Sequence, residues 1–118
     1  MDPRVEQAIA ILEQQLHTPI RLPALAAAVQ LSVSQLTRLF RRDTGRTPAA
    51  HLHWVRMRHA RILIERSSLS VAEVMTLVGI TDPSHFARDF RDAHGFSPRA
   101  FRRHMRLVGR SVASDRHR

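Results

Sequence analysis

The strongest constraint on this chain is that it repeats itself. Residues 32–50 (SVSQLTRLFRRDTGRTPAA) lie without a gap on residues 82–100 (DPSHFARDFRDAHGFSPRA) at an offset of 50. Ser34 meets Ser84, Arg38 meets Arg88, Phe40 meets Phe90 and Arg41 meets Arg91; Gly45 meets Gly95, Pro48 meets Pro98 and Ala50 meets Ala100. Upstream the offset becomes 49, so that Leu22 meets Val71, Leu25 meets Val74, Val29 meets Val78 and Leu31 meets Ile80. Thr81 is the extra residue of the second copy. It falls in a turn, where an insertion leaves both flanking helices intact. An internal period makes the repeated unit, and not the whole chain, the object to interpret.

Each copy predicts three helical pieces. Leu22, Leu25, Ala26 and Val29 fall at helical spacing and give a short first helix. Leu31-Ser32 makes a turn. Ser32 with Gln35 three residues on is a capping box, opening a helix from about Val33 to Thr44 whose inner stripe is Leu36, Leu39 and Phe40. Gly45 stops it, because glycine takes positive φ without steric cost. Thr47 then caps a further helix with Pro48 at its first position. In the second copy Val71, Val74, Met75 and Val78 pattern the short helix. Asp82 caps the next, which runs to His94 with Phe86, Phe90 and Ala93 inside. Gly95 ends it and Ser97-Pro98 starts the last helix. Two helices joined by a tight turn are the helix-turn-helix pattern, here present twice.

The rest of the chain fits around these units. Val5, Ala8, Ile9, Leu12 and Leu16 form the stripe of an N-terminal helix that ends before Pro19. Residues 48–66 predict one long linker helix of roughly 28 Å, with Leu52, Val55, Ile62 and Leu63 facing inward. The expected organisation is a first helix-turn-helix subdomain over 1–47, the linker helix over 48–66, a second subdomain over 67–107 and a basic, flexible tail over 108–118. The fold class is all-α.

Charge narrows the function. Nineteen basic residues, all arginine, stand against ten acidic ones, a formal charge of +9. That excess points to a polyanionic partner, nucleic acid first, and arginine adds a planar fork suited to guanine edges. No cysteine is present, which excludes disulfides, thiol nucleophiles and zinc-finger frameworks. The start has no signal-peptide pattern, and no apolar run approaches the ~20 residues of a membrane span, so a cytoplasmic protein with no membrane partner is expected.

The run Leu25, Val29, Leu31-Ser32, Ser34, Leu36, Arg38-Leu39-Phe40-Arg41-Arg42, Thr44-Gly45 and Thr47-Pro48 resembles the first unit of AraC/XylS-type transcription regulators. Ser70-Val71-Ala72-Glu73-Val74, Val78-Gly79-Ile80, Asp82, Ser84, Phe86, Arg88, Phe90-Arg91, Gly95, Ser97-Pro98 and Phe101-Arg102 are similar to that family's signature segment. The resemblance covers about residues 4–107. It implies seven helices, two subdomains and transcription control, often activation, with RNA polymerase as a further partner. Two positions depart from the family pattern, which often has tyrosine where this chain has His51 and Phe101; both are packing positions. Most members carry an additional sensing or dimerising domain. The chain is therefore read as a small standalone regulator or as the DNA-binding fragment of a larger one, monomeric by itself and dimeric if a further domain exists.

Helical-wheel geometry selects the residues that meet DNA. With Leu36, Leu39 and Phe40 inward, Ser34, Arg38 and Arg41 face outward, flanked by Gln35, Thr37 and Arg42. With Phe86 and Phe90 inward, Ser84, Arg88 and Arg91 face outward beside His85. Residues near the start of a recognition helix reach base edges. Base contacts are thus expected from Ser34, Gln35, Thr37 and Arg38 on the helix at about 33–44, and from Ser84, His85 and Arg88 on that at about 82–94. Arg38 or Arg88 would fork onto guanine and Gln35 would pair with adenine. Arg41, Arg42, Arg46 and Arg91 lie further along and are assigned to phosphates. Pro83 and Ala87 offer only apolar contact, so the second helix should read sequence less sharply. Two such helices would enter successive major-groove segments of double-stranded DNA, with an asymmetric site of about 20 base pairs, roughly two turns.

Other chemistries find little support. His51 and His53 are two apart on a helix and diverge, so no metal site is expected. No carboxylate pair, activated nucleophile or glycine-rich phosphate loop appears, so neither catalysis nor a cofactor is expected. A protein-interaction module that had lost DNA binding would not need outward arginines at matched positions in both copies. RNA recognition is disfavoured because the chain has no tyrosine and one tryptophan, Trp54, leaving few stacking platforms.

Overall fold

The computed structural model describes the backbone of residues 1–116 and the side chains of residues 1–109. The described residues form seven helices: α1 (Pro3–Gln14), α2 (Leu22–Ala28), α3 (Val33–Thr44), α4 (Pro48–Arg66), α5 (Val71–Leu77), α6 (Pro83–His94) and α7 (Pro98–Arg116). No strand occurs among the described residues, and the all-α class and helix count match the expectation.

Local chemistry sets the helix ends. The Ser32 hydroxyl accepts from the Gln35 backbone N–H at 3.1 Å, and the Gln35 amide oxygen accepts from the Ser32 N–H at 3.0 Å, completing the capping box of α3. On α6 one carboxylate oxygen of Asp82 accepts from the N–H groups of Ser84 and His85 at 2.9 and 3.2 Å. Asp82 is therefore the cap and the helix proper begins at Pro83. A second capping box pairs Ser70 with Glu73 at the start of α5. The Ser-x-x-Glu spacing that signals it was open to sequence reasoning, which did not use it. Gly45 and Gly95 end α3 and α6 at φ of 75° and 84°.

The chain divides into two compact units, Met1–Arg56 and Met57–Arg118. The first has a core of Val5, Ala8 and Leu12 from α1, Leu25 and Ala26 from α2 with Val29 beyond it, Leu36, Leu39 and Phe40 from α3, and Leu52 from α4. Ile9 and Leu16 pack half-buried against it, and α1 ends two residues before Leu16. The second core takes Met57, Ala60 and Ile64 from α4, Val74 and Val78 from and beside α5, Phe86 and Phe90 from α6, and Phe101 from α7. Each buried phenylalanine stabilises its unit by ~1.5–3 kcal/mol.

The division falls inside α4, which is therefore shared. Its first half closes the first unit and its second half opens the second. Met57, Ala60 and Ile64 repeat the spacing of Val5, Ala8 and Leu12, so the back of α4 does for the second core what α1 does for the first. The sequence pattern predicts for α4 a connector with one inward stripe. Leu52 and Val55 are buried as expected, but Ile62 and Leu63 are only half-buried, while Met57, Ala60 and Ile64 are buried. The two-residue step from Val55 to Met57 breaks the three-four alternation, because each half answers to its own core.

A second difference concerns α6. Ala93, expected inside, is exposed. Its neighbour His94 packs instead, with its ring 4.6 Å from Phe90 and its Nε2 2.9 Å from the Met57 carbonyl oxygen. An arginine ties each unit together. Arg56 donates to the carbonyls of Leu16 and Thr18, both at 2.8 Å, and Arg102 to those of Ile64 and Ser67 at 3.1 and 3.4 Å. These carbonyls lie at or just past helix ends, where backbone acceptors lack intrahelical donors. Of the tail expected over 108–118, the backbone is helical to Arg116; its side chains from residue 110 and its last two residues lie outside the described residues.

Candidate nucleic-acid interface

Burial of Leu36, Leu39 and Phe40 leaves a polar face on α3. Ser34, Gln35, Arg38, Arg41 and Arg42 are exposed on it, and Thr37 is half-buried. Arg46, just past the helix, is also half-buried. Burial of Phe86 and Phe90 on α6 likewise leaves Ser84, His85, Arg88 and Arg91 exposed, beside exposed Pro83 and Ala87. Within each unit the structure thus gathers the residues singled out from sequence onto one helix and its end.

Their partners differ. Among the described residues no ion pair engages Arg38, Arg41 or Arg91. Arg42 pairs with Asp43 at 2.9 Å, and Asp43 also accepts from the Asp2 backbone N–H at 2.8 Å. The hydrogen bond from Arg42, helped by that N–H, holds the Asp43 carboxyl below its ordinary range. The Arg46 guanidinium lies 4.5 Å above the ring of Trp54, which is 40% exposed. Arg88 approaches Asp89 at 3.7 Å, and His85 Nδ1 lies 3.6 Å from Asp82. Gln35 has its amide oxygen in the capping box, so with the cap formed only its NH2 is free to donate. A bidentate pairing with adenine needs both ends of the amide.

The histidines separate by burial. His53 and His59 are exposed, whereas His51 is 6% exposed. Its ring sits edge-on to Phe40 at 5.3 Å and 5.7 Å from Trp54, and neither ring nitrogen has a hydrogen-bond partner. Burial, then the nearby Arg46 charge, pushes its pKa below the ordinary histidine value. Among the described residues no group of three or more histidines and carboxylates comes together as metal ligands, and no helix is long and apolar enough to cross a membrane.

From sequence, the helix starts after Ser70 and Ser97 are candidate phosphate sites through their backbone amides, but the arginines of α7 beside them go unread. Arg99, Arg102, Arg103 and Arg106 of α7 line a cleft of about 490 Å³ with residues 70–72 at the start of α5. Their three-four spacing was the available signal.

Two tight helical pairs, each presenting a capped helix with an outward arginine face, define a double helix-turn-helix protein. The helix-turn-helix domain family matches residues 25–104, from within α2 of the first pair, through the second pair and into α7. Over 97 residues the chain is 33% identical to the HTH-type transcriptional regulator GbdR of Pseudomonas aeruginosa, covering 82% of this chain and 26% of that protein. Over 100 residues it is 37% identical to the transcriptional activator NphR of a Rhodococcus species, covering 84% and 30%. The chain thus spans about a quarter to a third of the length of these relatives. Among solved structures it is similar to the DNA-binding domain of AdpA, a global transcriptional factor in complex with a target DNA, at 32% identity and a TM-score of 0.82, covering 92% of this chain and 96% of that one. An AraC-type regulator from Chromobacterium violaceum gives 26% identity and a TM-score of 0.82, covering 87% and 92%. The chain belongs to the AraC/XylS-type family of helix-turn-helix, DNA-binding transcription regulators.

Proposed function

We propose that this chain is the sequence-reading part of a transcription regulator and that α3 and α6 enter successive major-groove segments of one duplex. The observation that carries this reading is the recurrence of exposed arginines, Arg38 and Arg41 on α3 and Arg88 and Arg91 on α6, at matched places on two capped helices. The likeness to the AdpA domain, solved with a target DNA, supports it.

In this reading Arg38, Ser34 and Thr37 meet base edges in the first segment, with Gln35 acting through its NH2. Ser84, His85 and Arg88 meet them in the second. Arg41 and Arg91 meet phosphates. Arg42 and Arg46 do so after exchanging Asp43 and the Trp54 face for the backbone. The unit works in the cytoplasm, binds as a monomer by itself over about 20 base pairs, two helical turns, and acts on transcription through RNA polymerase. A further domain, where the whole protein has one, supplies dimerisation.

Selection of bound duplexes from a random pool tests this. The expected result is an asymmetric two-segment site. Arg38→Ala and Arg88→Ala should each cost ~1–3 kcal/mol and relax preference at one or two positions, while Arg41→Ala weakens all sequences alike. A pool that yields no enriched sequence, or footprints confined to one turn, would sink the reading.

A further inference from the structure

The cleft between the start of α5 and α7 belongs wholly to the second unit. Positions 99, 102, 103 and 106 share one helix face, so four guanidiniums are drawn to one side of α7. Arg102 is committed to the Ile64 and Ser67 carbonyls and secures α7 to its unit. Arg99, Arg103 and Arg106 are exposed, and among the described residues no carboxylate lines the cleft beside them. Like charges gathered in a concavity repel one another until an anion enters, and a guanidinium fork matches phosphate oxygens in geometry as well as charge.

The repeat supplies an internal control. The residues of the first unit at the matched positions are Ala49, Leu52, His53 and Arg56. Of these only Arg56 is an arginine, and it donates to the Leu16 and Thr18 carbonyls. The basic cleft is therefore not a by-product of the shared architecture but a property of one copy.

We propose that Arg99, Arg103 and Arg106 form a phosphodiester clamp that grips the DNA backbone beside the groove segment that α6 enters, making the second unit the anchor of the pair. This rests on the reading of the chain as a duplex-DNA binder. The clamp adds affinity without adding sequence information, because phosphates are the same at every base pair.

The test compares the wild-type chain with a triple variant, Arg99→Gln, Arg103→Gln and Arg106→Gln, and with the corresponding triple lysine variant; Arg102 is left intact. Dissociation constants for a duplex selected from the random pool are measured across a salt series, and phosphate-ethylation interference is mapped on the same duplex. Thermal melts establish that all three chains are folded. Each lost phosphate contact lowers the log–log salt slope by ~0.9. The glutamine variant should thus lose about two to three from the slope and at least ~10-fold in affinity near 0.1 M salt, with base preferences unchanged. The lysine variant should keep most of the slope, since charge is retained. Ethylation-sensitive phosphates should vanish next to the bases whose preference depends on Arg88. A glutamine variant with the wild-type slope and interference pattern overturns the clamp while leaving DNA binding intact, as does a lysine variant as weak as the glutamine one. A wild-type chain that binds no duplex overturns the DNA reading itself, and the clamp with it.

Discussion

The two units put different chemistry into the same sockets. Where the second has Phe101 packed 5.7 Å from Phe90, the first has His51 packed 5.3 Å from Phe40. Where the first lays Arg46 over Trp54, the second stacks Phe96 on His104 at 5.2 Å and 16°. Thr44 hydrogen-bonds locally to the Phe40 carbonyl at 2.7 Å, whereas its counterpart His94 reaches the Met57 carbonyl. In the turn before the recognition helix, Gly79 takes φ of 82° and Gln30 is forced to 61°. The difference teaches that caps and apolar spacing suffice to define the unit, since these substitutions leave its helices in place. It also shows the first unit bearing two local penalties that the second avoids: an unpaired buried imidazole and a non-glycine residue in left-handed backbone.

The comparison can be broken or sharpened in four ways. The largest effect is expected from the matched core rings: Phe40→Ala and Phe90→Ala should each cost ~3–5 kcal/mol in urea unfolding. A much smaller loss in one would show that the two cores are not equivalent. Next, Arg38→Ala and Arg88→Ala should each weaken binding by ~1–3 kcal/mol, but the loss of base discrimination should be sharper for Arg38, since Thr37 beside it is polar and Ala87 is not. Enrichment profiles from the two variants settle which unit reads more finely. His51→Phe, which installs the chemistry of the second unit, should raise stability at pH 8 by ~1–2 kcal/mol by removing two unsatisfied nitrogens. The gain should widen in acid. The folded pKa of His51 lies below the ordinary 6.5, so below about pH 6.5 the unfolded chain binds the proton first. Stability of the wild type then falls with pH, by at most ~1.4 kcal/mol per pH unit down to the folded pKa. Chemical melts of both proteins between pH 8 and pH 5 should diverge accordingly. The smallest change is Gln30→Gly, expected to stabilise by ~0.5–1 kcal/mol because glycine enters left-handed backbone without the Cβ clash.

Much of this was legible in the chain because the informative signals are local. Ser32 with Gln35, Asp82, Gly45 and Gly95 announce helix ends within a few residues of themselves, and Leu36, Phe40, Phe86 and Phe90 announce buried faces by spacing alone. What was not legible depends on neighbours distant in sequence. His94 displaces Ala93 as the packed residue because Phe101 and the Met57 carbonyl receive its ring, and nothing near position 94 says so. The switch of stripe within α4 follows from two cores, which a single-helix pattern cannot encode. At the candidate interface the exposed arginines were readable from the wheel. The engagement of Arg42 by Asp43, of Arg46 by Trp54 and of the Gln35 oxygen by its own cap was not, because each is a competition among side chains that only coordinates resolve.

The sharing of α4 limits how this molecule can be taken apart. A spacer is dispensable, and a cut within it frees two intact halves. Here a cut ahead of Val55 takes part of the closing wall from the first unit, and a cut past Met57 takes part of the opening wall from the second; only between Val55 and Met57, where the two units abut, does each half keep its own buried residues. Either half expressed separately is therefore expected to need its own length of the nineteen-residue helix, ending or beginning within that two-residue step.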